Sequence, residues 1–170
     1  MVKALVVVNS EKELSAGSTQ IIKFALKHAD EVQALLVGSG LDKCLNDIKA
    51  LKVNTIYLAD ADKYQAFRSD LILDLTSQAL EKSAADFILC AHNTNTEALL
   101  TMLAYKNSMA LATDVVDFNF SEKTVSRSMY SNKMVMQSKL NADKACVSFR
   151  ANSINITEDV TGSTDPEVIN

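Results

Sequence analysis

The sequence predicts an α/β domain: an open, mostly parallel sheet with flanking helices, followed by antiparallel strands towards the C-terminus. Three observations carry this. Continuous apolar runs at Ala4–Val8 and Val32–Val37 have the signature of parallel strands buried on both faces. Helix-period segments alternate with such runs, which requires crossover connections. After Asp114 the pattern becomes an alternation of apolar and polar residues broken by short polar turns, the mark of hairpin strands.

The elements follow in order. The run Ala4–Val8 ends at Asn9-Ser10, and Ser15 is placed to cap a helix whose apolar face is Ile21, Ile22, Ala25 and Ala29. The second strand stops at Gly38-Ser39-Gly40. A helix with Leu41, Cys44, Leu45, Ile48 and Leu51 on one face comes next. Thr55–Ala59 reads as the third strand, and a polar connector, Asp60–Arg68, carries Tyr64 and Phe67. Ser69 or Asp70 is the expected cap of a helix bearing Leu71, Ile72, Leu75 and Ala79. Phe87–Ala91 is the fourth strand, and it breaks off at His92, Asn93, Thr94 and Asn95. Thr94-Asn95-Thr96-Glu97 fits a capping box ahead of a helix with Leu99, Met102 and Leu103.

Beyond Asp114, the runs around Val116/Phe118/Phe120, Val125/Arg127/Met129, Met134–Leu140 and Ala145–Phe149 leave no room for a helix. All four are expected as hairpin-connected antiparallel strands. From Thr157 the chain is acidic, turn-rich and without periodicity, so the expected organisation is one α/β domain over 1–156 and a linker or tail over 157–170.

Bulk properties narrow the function. A chain of 170 residues, 48% hydrophobic and 22% charged, suits one domain with an ordinary core. A net charge of −4 argues against general affinity for nucleic acid or an anionic membrane. No apolar run approaches the ~20 residues of a spanning helix, and the N-terminus enters a strand with no export segment. Cys44, Cys90 and Cys146 are an odd, scattered set that suits a reducing cytosol better than a disulfide framework. No glycine lies between Gly40 and Gly162. A phosphate-cradling loop needs glycines so that backbone N–H groups can approach the anion, which excludes a P-loop from most of the chain.

The candidate chemistry is sparse. Gly38-Ser39-Gly40 sits between strand and helix as a dinucleotide fingerprint would, but Lys43 stands where the third glycine belongs, leaving a tight βα turn. Cys90 and His92 share a strand face at i, i+2, so a nucleophile pair is sterically conceivable; a buried cysteine acting as a small hydrophobe is the simpler reading. His28 and His92 have no metal-ligand spacing with the cysteines. Asp60 and Asp62 follow the third strand with no partner evident in the sequence. The set His92, Asn93, Thr94 and Asn95 is the best small-molecule candidate, because orphan N–H groups at a helix start favour anions. The same residues also make sense as a capped helix start.

On its order and wording, the chain from Ala4 to about Ala151 resembles the N-terminal domain of the electron transfer flavoprotein alpha subunit. ALVVVNSEKELSAGSTQIIKFA resembles that family's opening strand, loop and helix, and VQALLVGSG its second strand and Gly-x-Gly turn. IYLADADKY is similar to its third unit. ILCAHNTNTEALLTMLAYKNSMALATDVVDF matches its fourth strand, helix and return, with Asp114 in place. Arg127-Ser-Met-Tyr130 followed by Ser-Asn resembles the family's Arg-Pro-Ile-Tyr-Ala-Gly, and Val147-Ser-Phe-Arg150 its final Val-Arg strand. The chain departs from the pattern at Thr96, where the family has a glycine, at Thr101-Met102, where it has Pro-Arg, and at Asn132, where it has a second glycine. The first departure weighs against a nucleotide contact at the fourth loop.

The resemblance implies a Rossmann-like fold of the adenine-nucleotide alpha-hydrolase type and a role as an electron-carrier component rather than a catalyst. It implies an alpha–beta heterodimer that takes electrons from flavin dehydrogenases and passes them to a quinone oxidoreductase or another acceptor. FAD is expected mainly on a C-terminal domain beyond this chain, with none in residues 1–170 and a purine nucleotide in the beta subunit. Arg127, Tyr130 and Arg150 are the expected partner-facing residues, and no residue is expected to be catalytic. The expected compartment is the bacterial cytoplasm, or the mitochondrial matrix in a eukaryote. Two alternatives stay open. A universal-stress-type adenine-nucleotide binder would carry a Gly-x2-Gly-x9-Gly-Ser/Thr pattern after the fourth strand, and a small enzyme would use Cys90 and His92.

Overall fold

The computed structural model describes residues 1–9, 13–66, 68–163 and 165–170. Ser10 and Phe67, assigned by sequence to the first strand end and to the polar connector, lie outside the described residues. The chain runs β1 (Lys3–Asn9), α1 (Ala16–His28), β2 (Glu31–Gly38), α2 (Asp42–Ala50), β3 (Thr55–Asp60), α3 (Ser69–Ser83), β4 (Phe87–Ala91) and α4 (Thr94–Lys106). There follow β5 (Ala110–Val115), β6 (Asp117–Asn119), β7 (Thr124–Met129), β8 (Met134–Lys139), β9 (Ala145–Phe149) and β10 (Glu167–Ile169).

Seven strands form one parallel sheet in the order β10-β3-β2-β1-β4-β9-β5, and β6-β7-β8 form a small antiparallel sheet. The two-residue period of a strand divides the core in two. Ala4, Val6 and Val8 of β1 face α1 and α2, where they meet Ile22, Ala25, Cys44 and Ile48. Leu5 and Val7 face α3 and α4, meeting Ile72, Leu80, Leu99 and Leu103. A strand with both faces covered has no polar face, hence the unbroken apolar runs. The small sheet is seated by aromatic contacts: Phe118 and Phe120 pack on Phe87 at centroid distances of 5.2 and 5.3 Å, and Phe120 reaches Phe24 of α1 at 5.8 Å.

Four expectations need correcting. Ala145–Phe149 is not a hairpin strand. As β9 it inserts between β4 and β5, parallel to both, with all five residues buried. Asp114, read as the boundary after which strand patterning resumes, lies inside a strand, β5, at a register shift between Ala112 and Val115, with φ +55°. The capping box of α4 is one residue earlier than expected. Asn93 is the cap, its Oδ1 accepting from Thr96 N and Thr96 Oγ1 accepting from Asn93 N, both at 2.9 Å. The first residue of α3 follows Arg68, which caps with no side-chain bond, and Asp70 instead sits in the first turn, paired with Arg68 at 2.8 Å. The expected cap of α1 is present: Ser15 Oγ accepts from Ser18 N at 3.1 Å. The acidic C-terminal segment packs back over α1 and α2 and ends as β10, an edge strand on β3.

Candidate functional site

In open α/β sheets the ligand crevice lies beyond the carboxyl ends of the strands, where the strand order reverses. Here that point lies between β1 and β4. A cavity of about 310 Å3 opens there, walled by Ala16, Gly17 and Gln20 of α1, Ala91 of β4, Phe149 at the end of β9, and Arg150 just after it. The volume is at the lower end for a small-molecule site.

Two helix starts near this edge resemble phosphate cradles in sequence, and both are occupied by the protein's own groups. At the Gly38-Ser39-Gly40 turn, Asp60 Oδ1 accepts from Gly40 N at 2.8 Å and Oδ2 from Leu41 N at 3.0 Å. Ser39 Oγ donates to Asp62 Oδ1 at 2.9 Å. Asp60 thus takes the place an anion would occupy at the start of α2. Adjacent parallel strands end on the same side, so the last residue of β3 falls beside the turn that follows β2. That adjacency was the sequence signal for the role of Asp60. At α4 the reciprocal Asn93/Thr96 box holds two of the N–H groups, and Thr96 Oγ1 also donates to Ala91 O at 2.7 Å. Of the candidate set, Asn93 therefore caps, Thr94 and Asn95 are exposed in the first turn, and His92 turns the other way.

His92 joins a polar cluster across β4, β9 and β5. Its Nδ1 lies 3.0 Å from Ser148 Oγ, which accepts from Asp114 N at 3.2 Å. The left-handed backbone at Asp114 sits beside the Arg150 guanidinium, and the pair is bidentate: Nε donates to Oδ1 at 3.0 Å and Nη2 to Oδ2 at 2.5 Å. The hydrogen bonds from Arg150 hold the Asp114 carboxyl below its usual range; partial burial opposes this, and the charges of Arg150, His92 and Arg127 add to it. Arg150 reaches on to Asn132 Oδ1 at 3.2 Å, tying the main sheet to the β7–β8 turn. In that turn Tyr130, Ser131 and Asn132 all have positive φ, a region that the short polar side chain of Asn132 tolerates. Arg127, on β7, has a buried Nε with no hydrogen-bond partner among the described residues.

The imidazole of His92 is engaged with Ser148, and no hydrogen bond joins it to Cys90 among the described residues. Cys90 is fully buried in the α3/α4 core, where desolvation pushes its thiol up to about 12. Cys146 is likewise pushed to about 12, by burial and then by Cys90. Neither is a nucleophile at neutral pH. Among the described residues no group of His, Cys, Asp and Glu is arranged to hold a metal ion, and no helix is long and apolar enough to cross a membrane.

Of the surface around the β7–β8 hairpin, the resemblance named Arg127 and Tyr130 but not the apolar residues beside them. Met129, Tyr130, Met134, Val135 and Met136 are all exposed, Tyr130 to 71% and Val135 to 62%. They lie on and beside β8, the edge strand of the small sheet. For the apolar residues the run at 134–136 was the signal, and a run of three is equally consistent with a core strand.

The structure thus combines a parallel α/β sheet, in which the starts of α2 and α4 are held by the protein's own side chains, with a polar cluster that leads to an exposed apolar hairpin. The family model described as "Electron transfer flavoprotein domain" matches residues 4–170, and the chain belongs to that family. Proteins of this family are electron carriers that work with a partner chain and redox partners. A search of curated proteins finds no match to the chain.

Proposed function

We propose that this chain is the N-terminal scaffold and subunit-interaction domain of an electron transfer flavoprotein alpha subunit. The complete heterodimer would carry electrons from flavin dehydrogenases to an acceptor such as a quinone oxidoreductase. In this reading the α/β domain includes the C-terminal segment that ends as β10, and it serves an FAD-binding domain of the same subunit. The chain contributes no catalytic group and no flavin site of its own. The bacterial cytoplasm or mitochondrial matrix is the corresponding compartment.

One observation carries the reading: the exposed Met134–Met136 edge of β8, held in place beside Tyr130 by the Arg150–Asp114 and Arg150–Asn132 contacts. Arg127, Tyr130 and Arg150 fall on or under this hairpin, where a beta subunit would dock. A purine-nucleotide role for this chain has less support, because the fourth loop has Thr96 where the family's glycine stands and the box holds its N–H groups.

The test is titration of the chain with a beta subunit of the family, followed by size exclusion and calorimetry. Met134→Asp and Val135→Asp are expected to abolish the complex while leaving thermal stability unchanged, since both side chains are already exposed. Stoichiometric flavin bound to the chain alone, or full beta-subunit binding by both variants, would overturn the assignment.

A further inference from the structure

The last turn of the chain is attached unlike the rest of it. After β9 the backbone crosses the α1/α2 face, where Ile154 and Ile156 are half-buried and Ile156 N donates to Gln20 Oε1 at 2.6 Å. Gly162 N then donates to Leu51 O at 2.9 Å, at the open carboxyl end of α2. Beyond it Glu167 N donates to Asn54 O at 3.1 Å, and Glu167–Ile169 pair in parallel with Thr55–Tyr57 of β3. No described residue from 151 to 170 is fully buried, whereas every residue of β9 is. A segment with few buried contacts and a three-residue strand has the low local stability of a unit that opens on its own.

The anchor can be located. The ion pairs Lys27–Glu158 and Lys52–Asp165 join side chains exposed to 39% and 66%, and to 46% and 94%. Pairs this open to solvent contribute little. Gly162 is different. A Cβ there would lie 1.8 Å from Lys52 O and 2.9 Å from the Lys52 carbonyl carbon. Both are backbone atoms, so no side-chain rotation relieves the overlap, and Lys52 already has φ +55°. The seat accepts only glycine.

We propose that residues 157–170 form a displaceable strap, seated at Gly162, that guards the outer edge of β3. Released, it uncovers the row of N–H and C=O groups along Thr55–Tyr57, while the two cores stay folded. The free β8 edge on the small sheet is a separate surface and does not depend on the strap.

Hydrogen exchange on the full chain, read by mass spectrometry, tests this. In the unmodified protein, amides at 167–169 are expected to exchange through an opening that leaves β1, β2, β4 and β9 protected. Gly162→Val is expected to abolish protection at 167–169 and lower it in β3, with the other strands unchanged. Lys27→Ala combined with Lys52→Ala is expected to leave protection at 167–169 intact. The proposal fails if 167–169 exchange only with global unfolding, or if a folded Gly162→Val keeps its protection there. It also fails if the double lysine variant loses as much as Gly162→Val. Should Gly162→Val not fold, exchange in the unmodified chain decides.

Discussion

Substituting Thr96 tests the assignment of the α4 start most directly. Thr96 is 6% exposed, and its hydroxyl accepts from Asn93 N at 2.9 Å and donates to Ala91 O at 2.7 Å. Thr96→Val keeps the shape and removes both bonds. At about 1 kcal/mol net for each bond, the loss is about 2 kcal/mol. Thr96→Ser keeps the hydroxyl and drops one buried methyl, a loss of about 1 kcal/mol. Thr94 is exposed in the first turn, so Thr94→Ala is expected to stay within about 0.5 kcal/mol. Urea unfolding separates these outcomes. With a slope of about 2 kcal/mol per molar, Thr96→Val lowers the midpoint by about 1 M at unchanged slope. If Thr94→Ala costs as much as Thr96→Val, the cap is Thr94 after all and the N–H groups assigned to the box are free for a ligand.

Three other outcomes follow from the same geometry. Cys90 and Cys146, pushed to about 12 by burial, are expected to resist alkylation in the native chain at pH 8 and to react after denaturation; rapid native labelling of either would reopen the nucleophile reading. Asp114 has its folded carboxyl lowered by Arg150, so the stability it contributes is full above the unfolded value of about 3.9 and is lost as pH falls through the lowered folded value. Asp114→Asn should therefore flatten the acid side of a melting-temperature profile below about pH 4, by a modest amount because the pair is half open to water. Ala84 closes α3 with φ +49° and is exposed, so Ala84→Gly is expected to raise stability by about 1 kcal/mol, and a lower melting temperature would contradict the left-handed assignment.

The alternation of buried strands and one-sided helices was legible as far as α4 because each signal is local. Ile21/Ile22/Ala25 can form only one apolar face, and Ser15 sits where a cap is needed. Beyond Asp114 local signals stopped being sufficient. Five apolar-rich residues at Ala145–Phe149 read alike as a hairpin strand or a buried parallel one, and the difference lies in the neighbours, Phe87–Ala91 and Ala110–Val115, which are distant in sequence. The contacts of Asp60, Ser148 and Arg150 have no local signal for the same reason, since each acts on a group more than 15 positions away; for Asp60 the adjacency of two parallel strand ends was the pointer. Arg127, Tyr130 and Arg150 were named from the resemblance, and Arg150 proved to be the link between the main sheet and the hairpin turn.

The sequence by itself determined the class of fold, the absence of a glycine phosphate loop beyond Gly40 and, through the resemblance, the family. These depend on residue type and period, which fold-independent sterics and hydrophobicity dictate. Only the tertiary structure decided that β9 completes the parallel sheet, that Asp60 fills the start of α2, and that the acidic C-terminal segment docks on β3. Each of these depends on which strand ends meet in space, and the energy of such a meeting belongs to the pair of segments and to neither sequence alone.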